Sequence, residues 1–314
     1  MMNRFQTENE WLLARSGFIT STEVASLFGM GEYKTAWQIW HEKNGNYSET
    51  VTGERPKWGL RLENAIAEGV AADQTGWTID TDLYRFCLYS ISEARLASSI
   101  DRQVECQKRG RGLIECKVVS LNVWRDQFDH EKNIIPARFE FQLQTEMLCT
   151  GLSWACLACL VDGETFFFIR RTDPAIHQLI IKKVNAFWAQ VDSGIEPEPD
   201  FMNELDQAVI FKMFKDKKIR KEMDLSADNH LPELCARYRD ATAEAKMAEL
   251  RKNAIKAEII TKIGDAEKIK IGDDYMIVAS LVEPKEISYT RSAYKDFRIF
   301  KKDPQKTATK RRAK

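Results

Sequence analysis

Two neighbouring stretches decide the fold: LASSID at residues 96–101 and GLIECKVVS at residues 112–120. Asp101 ends the first apolar run, and Glu115 and Lys117 interrupt the second. Side chains alternate along a strand, so Glu115 and Lys117 share one face while Ile114, Cys116 and Val118 take the other. If the two stretches pair as a hairpin, Asp101 lies beside Glu115. Adjacent carboxylates repel unless a cation sits between them, and hard oxygen donors suit Mg2+ or Mn2+ better than Zn2+. A lysine at that point can hold or deprotonate a water, or neutralise charge on a phosphate. The spacing D-x13-E-x-K also describes a plain hairpin with Asp, Glu and Lys on a solvated face. The apolar runs flanking all three residues weigh against that.

Around this centre the chain has 314 residues, 44% of them hydrophobic, with 16 Phe and 8 Trp. That is ample for a core and excludes wholesale disorder. The length exceeds one typical domain of about 100–200 residues, or fits one α/β unit with an appendage. No window reaches the roughly 18 uninterrupted apolar residues of a membrane span. The polar opening MMNRFQTENEW is unlike a signal peptide, so a soluble intracellular protein with no membrane partner is expected. Lys and Arg number 47, as do Asp and Glu. This balance excludes a uniformly basic nucleic-acid coat but allows a locally basic channel. Seven cysteines, an odd number lying mostly in apolar runs, read as buried free thiols in a reducing compartment.

Periodicity and caps predict a short helix beginning near residue 22, with further helices over 35–44, 57–74, 122–131, 137–149 and 175–191. Strands are predicted over 77–80, 84–89, 96–100, 112–118, 153–161 and 164–170. Strands clustered between helices give an α/β (α+β mixed) fold, a mixed sheet covered by helices. The diproline connector GIEPEPD at 194–200 separates a core, 1–195, from a C-terminal extension, 196–314. The extension holds a long helix over 231–263, a β-hairpin over 268–282, an extended stretch over 286–300 and a basic tail over 301–314.

Four segments in order resemble the PD-(D/E)XK nuclease superfamily and, within it, the lambda-type phage exonucleases or YqaJ-like viral recombinases. RSGFITSTE at 15–23 is similar to the R-x-G-x-I-T-A-S-E opening, and WGLRLENAIAE at 58–68 to a helix bearing G-x3-E-N. The pair Asp101 and E-x-K at 115–117 matches the signature. FEFQLQTEMLCTG at 139–151 resembles Q-V-Q-x-x-M-x-V-T-G. The likeness covers about residues 10–195 and implies a restriction-endonuclease-like fold. It makes Asp101 and Glu115 metal ligands, with the Cys116 backbone carbonyl as a further ligand, and gives Lys117 the attacking water. Glu63 completes the site or binds a second ion. Gln142 orients the site, with Gln144 as the alternative, because Q-L-Q leaves the register open. Two Mg2+ or Mn2+ ions about 4 Å apart would clamp the attacking and leaving oxygens.

The resemblance also assigns Arg15, Thr22 and Ser99 to the 5′-phosphate of the substrate. Ser21 or Thr22 can cap a helix N-terminus that favours a phosphate, and Arg15 can add a two-pronged contact. Two positions depart from the family: Ile100 replaces the usual Pro before the aspartate, and Ser21-Thr22 replaces Ala-Ser. The implied activity is a Mg2+-dependent exonuclease degrading one strand of linear double-stranded DNA from its 5′ end, leaving 3′ overhangs. The implied setting is phage-type recombination in a bacterial host cytoplasm, from a phage or prophage gene. The partners would be a homo-oligomeric ring, commonly a trimer, and a single-strand annealing protein. An endonuclease of the same superfamily and a catalytically silent DNA-end-binding module are the alternatives.

Other features point elsewhere. Cys149, Cys156 and Cys159 form C-x6-C-x2-C, but Cys156 and Cys159 fall on opposite faces of one strand, and no iron–sulfur cluster is expected. His41, His130, His177 and His230 lack zinc spacing. Trp37 and Trp40 read as core residues or as a base-stacking wedge. The basic tail reads as a DNA contact or a solvated end, and the long helix as a brace for DNA or for a neighbouring subunit.

Overall fold

The structure, a computed structural model, describes residues 1–48, 53–80, 86–216, 222–272, 275–286, 288, 297 and 299. Two units are distinguished, Met1–Phe214 and Lys215–Lys314. The first runs β1 (Met2–Arg4), α1 (Glu8–Ser16), β2 (Ile19–Thr20), α2 (Ser21–Leu27), α3 (Ala36–Lys43), α4 (Glu54–Ala72), β3 (Trp77–Ile79), β4 (Cys87–Ile91) and β5 (Leu96–Ser98). It continues through β6 (Arg102–Cys106), β7 (Gly110–Val119), α5 (Leu121–Gln127), α6 (Ala137–Thr150), β8 (Trp154–Val161), β9 (Glu164–Arg171), α7 (Pro174–Ser193) and α8 (Glu204–Asp216).

The main sheet has the order β3-β6-β7-β8-β9, with β7 and β8 parallel and the other neighbours antiparallel. A second, four-stranded sheet has the order β1-β4-β5-β2. The apolar run WACLACLV makes β8 a central strand covered on both faces, as an unalternating sequence requires. Leu113, Ala155, Leu157 and Cys159 join one core with Leu143 and Met147 of α6 and Ile180 and Val184 of α7. Ile114, Cys116, Cys156 and Ala158 join the other with Ile66, Ala67 and Val70 of α4. The sheet is therefore a filled middle layer. Helix α7 is delimited by local chemistry: Asp173 caps the N–H groups of Ala175 and Ile176, Pro174 opens the first turn, and Gly194 closes it at φ 68°.

The expected hairpin partner of β7 is corrected. Strand β5 pairs with β4 and β2 in the second sheet, and β6, absent from the sequence expectation, pairs with β7. The run RQVEC is charged and short, yet it alternates Arg102, Val104 and Cys106 inward against Gln103 and Glu105 outward. Helix α1 was also not anticipated, although Thr7 and Glu10 form a capping box legible as T-E-N-E. Helix α2 starts one residue before the expected caps. Thr20 is its N-cap and Ser21 its first helical residue, because the Glu23 carboxylate reaches back to the Thr20 N–H at 2.9 Å. Trp37 and Trp40 are buried, with the Trp37 indole donating to Glu196, which leaves neither free to wedge between bases. Helix α8 belongs to the first unit through its buried Asp206, which accepts from the Thr35 hydroxyl and from the Asp200 N–H.

In the second unit, α9 spans Leu231–Ile263, and β10 (Lys268–Ile271) pairs antiparallel with β11 (Tyr275–Val278). No residue of α9 is buried, and its Glu249–Lys252 and Glu258–Lys262 pairs lie at solvent. The basic tail over 301–314, most of the stretch over 286–300 and residues 84–85 of an expected strand lie outside the described residues. Among the described residues no helix is long and apolar enough to cross a membrane.

Packing in the main sheet is close at Gly112, where an added Cβ would stand 2.2 Å from a Trp154 ring carbon. That ring is fixed by its indole bond to the Gly110 carbonyl at 3.2 Å and by Trp77 at 5.3 Å. Gly112→Ala is expected to cost about 1–3 kcal/mol, the range for overpacking a filled core. Urea unfolding followed by tryptophan fluorescence measures it, and a change below about 0.5 kcal/mol would contradict this packing.

Candidate active site

Residues 99–101 carry the chain from one sheet to the other, and Asp101 sits at the entry to β6. The β6–β7 register places Arg102 opposite Ile114, so one step back Asp101 stands opposite Glu115. Asp101 Oδ2 accepts the Cys116 N–H at 2.8 Å. On β7, Lys117 donates to Glu115 Oε1, as strand alternation requires of residues two apart. Helix α6 lies over this face and lowers Gln142, whose Nε2 donates to Glu115 Oε1 at 2.6 Å and to Glu146 Oε1 at 2.9 Å. Gln144, turned about 200° around the helix, instead bonds Glu140, the Arg171 carbonyl and the Asp173 N–H. Gln142 is therefore the glutamine at the site.

From the opposite layer, two ties bind α4 to the β6–β7 hairpin. The Cys116 thiol donates to the Glu63 carbonyl at 3.3 Å. The buried Arg102 guanidinium donates to Asn64 Oδ1 at 3.0 and 3.3 Å and to the Asp101 carbonyl. These ties hold Glu63 close enough for its charge to act on Asp101.

The electrostatics follow from crowding. Burial and then the charges of Glu115 and Glu63 push Asp101 well above the usual carboxylate range, against the pull of Lys117 and the Cys116 N–H. Glu146 is fully buried and raised likewise, by burial and then by Glu115. Burial works to lower Lys117, but Glu115 and Asp101 outweigh it, and its pKa rises. Burial also raises the Cys116 thiol, which stays neutral.

As they stand, no three His, Cys, Asp or Glu side chains among the described residues enclose an ion. The donor chemistry nonetheless fits a hard divalent cation. Asp101, Glu115 and Glu63 offer only oxygens, burial and then their mutual repulsion raise Asp101, and Glu146 Oε2 is buried without a hydrogen bond.

Beside these groups opens a cavity of about 720 Å³, lined by Lys117 and Gln142 on one side and by Arg15, Thr22 and Glu23 on another. Arg15 Nη2 reaches Thr22 Oγ1 at 3.4 Å, and its guanidinium lies 4.9 Å over the Trp11 ring. Ser99, grouped with them from sequence, does not join them. Its hydroxyl donates to the Cys87 carbonyl at 2.7 Å and accepts from the Trp11 indole at 3.1 Å, which commits it to packing between α1 and β4. Three members of the site escaped sequence reasoning: Glu146, Glu23 and Arg102. The Gln142-to-Glu146 spacing of one helical turn was a usable signal for the first.

A mixed sheet between α4 and α6, with an acid at the β6 entry and E-x-K along β7, is a restriction-endonuclease-like core. Residues 10–153 match the model of the YqaJ-like viral recombinase domain. Over 239 residues it is 24% identical to protein YqaJ of Bacillus subtilis strain 168, covering 72% of this chain and 70% of that protein. Among solved structures it is similar to the alkaline exonuclease LHK-Exo from Laribacter hongkongensis, at 23% identity and a TM-score of 0.47. That match covers 60% of this chain and 94% of the other. It is also similar to a phage-related exonuclease from Haemophilus somnus 129PT, at 10% identity and a TM-score of 0.40, covering 57% and 96%.

The raised Glu146 has a consequence for stability. Because the folded state holds this proton more tightly than the unfolded chain, its contribution is present below the ordinary glutamate pKa of about 4.3 and is lost as pH rises above it. Glu146→Gln is therefore expected to melt higher than the wild type at pH 8 in chelator, with the gain vanishing toward pH 4. Scanning calorimetry across that range measures it; a gain independent of pH would contradict the assignment.

Proposed function

We propose that this chain is a divalent-metal-dependent exonuclease that degrades one strand of linear duplex DNA from its 5′ end and leaves a 3′ overhang. The observation that carries the reading is the opposition of Asp101 and Glu115 across β6 and β7, with Lys117 beside them on the cavity that Arg15 also lines. The match of residues 10–153 to the model of the YqaJ-like viral recombinase domain supports it.

In this reading Asp101, Glu115, Glu63 and the Cys116 carbonyl hold one or two Mg2+ or Mn2+ ions, which supply Lewis-acid polarisation of the scissile phosphate and the attacking water. Gln142 fixes the Glu115 carboxylate by its 2.6 Å bond, so the acid keeps one orientation through the reaction. Lys117 stands at the cavity wall, where its ammonium can donate to the water or to a phosphate oxygen. Arg15 and Thr22 take the terminal 5′-phosphate, placing the first phosphodiester near Lys117. The proposed setting is phage-type recombination in a bacterial cytoplasm, with a homo-oligomeric ring around the duplex and a single-strand annealing protein as partner. A closed ring would confer processivity. The domain division proposed is a nuclease core over 1–195 with an extension over 196–314.

With Mg2+ or Mn2+, the protein is expected to shorten linear 5′-phosphorylated duplexes and spare supercoiled circles, and EDTA should abolish the activity. Cutting of supercoiled circles would favour an endonuclease, and intact linear DNA would favour a silent end-binding module. Lys117→Ala is expected to reduce the single-turnover rate by about 10²–10⁴-fold, the range for losing a positioned proton-handling group, with end binding retained. Asp101→Ala should be at least as severe. A single-turnover rate within a few-fold of wild type in either variant would remove that residue from the site. Arg15→Ala is expected to reduce the rate preference for 5′-phosphorylated over 5′-hydroxyl ends by about tenfold or more, the scale of one charge-assisted contact. An unchanged ratio would take Arg15 out of the phosphate pocket.

A further inference from the structure

We propose that Lys43 is a positioning residue for substrate specificity: by holding the Glu23 carboxylate from behind, it keeps the Arg15 guanidinium available for a terminal phosphate. The inference rests on the phosphate role proposed for Arg15.

Glu23 lines the same cavity as Arg15 and Thr22, so an acid stands in the wall of a pocket meant for an anion. Left to itself it would repel a phosphate and compete with it for Arg15, since carboxylates and phosphates bind a guanidinium through the same two-pronged geometry. The structure directs the carboxylate elsewhere. Lys43 Nζ lies 3.2 and 3.4 Å from its two oxygens, and the Thr20 N–H donates to Oε2 at 2.9 Å. Lys43 itself is anchored by the Phe18 carbonyl at 2.7 Å, and its side chain is only 6% exposed. It comes from the last turn of α3, where a cation is favoured, and does not line the cavity. The charges of Lys43 and then Arg15 outweigh the burial of Glu23 and hold it ionised. Among the described residues Arg15 is left with a single long bond to neutral Thr22 and a stacked Trp11, an arrangement a phosphate can enter without displacing a salt bridge.

The test measures affinities for 5′-phosphorylated and 5′-hydroxyl duplex ends by fluorescence anisotropy in EDTA, where no cleavage occurs. The wild type is expected to favour the phosphorylated end, Lys43→Met to lose about tenfold of that preference, and Lys43→Arg to retain it. The double variant Glu23→Gln/Lys43→Met should keep the preference, because competitor and holder are removed together. A folded Lys43→Met with wild-type preference overturns the inference. So does a loss of preference when Lys43→Met is added to Glu23→Gln, the comparison that decides the matter if the single variant does not fold. A wild type with no preference for phosphorylated ends would instead remove the Arg15 reading, and the inference with it.

Discussion

The site is organised by the repulsion of carboxylates crowded around one ammonium. At an effective dielectric near 20, two like charges about 4 Å apart repel by about 4 kcal/mol. Asp101, Glu115, Glu63 and Glu146 therefore cannot all be ionised together without compensation. Lys117 answers Glu115, the Cys116 N–H answers Asp101, and the Gln142 amide spans Glu115 and Glu146. Burial first, and then the repulsion that remains unbalanced, push Asp101 and Glu146 upward. A scaffold of polar contacts alone would relax and separate these groups. The apolar cores on both faces of the main sheet prevent this, because moving β7 away from α6 or α4 would open cavities costing several kcal/mol.

The change of sheet at residues 99–101 matters for the same reason. A continuous strand would have carried Asp101 within one sheet, its side chain set by the pleat alone. Instead the chain leaves β5 in the second sheet and enters β6 in the first, and the Arg102 guanidinium fixes the junction by bonding both the Asp101 carbonyl and Asn64 of α4. One buried cation thus joins the aspartate to the helix that bears Glu63. Ile100, which stands where the resembled family has Pro, is accommodated because its side chain is buried in the apolar core.

Much of this was legible in the residues, unevenly. The alternation I-E-C-K-V put Glu115 and Lys117 on one face, and β7 obeys it. The aspartate was found, but its strand was not. LASSID is the more apolar neighbour and drew the hairpin to itself, whereas the true partner RQVEC runs into the charged turn QKRGRG. Strand assignment by hydrophobicity fails where only three of five side chains point inward. Gln142 and Gln144 could not be separated because they flank the same apolar residue, Leu143, on one helix, and only the sheet beneath decides which is turned to Glu115. Ser99 shows the opposite limit: a motif match named the residue, while the Trp11 indole, on a helix absent from the expectation, had already taken its hydroxyl.

The family match ends at residue 153, at the threshold of β8, yet the physical unit does not. Strand β8 pairs in parallel with residues 113–119 of β7, Glu115 and Lys117 included, and β9 and α7 then cover it. Without them β7 would be an open edge, with unpaired backbone groups beside the site and one core face exposed to water. The matched residues contain every proposed catalytic side chain, but not the burial that crowds them. The smallest piece able to reproduce the electrostatics of Asp101 and Glu146 must therefore extend past the match, at least through α7.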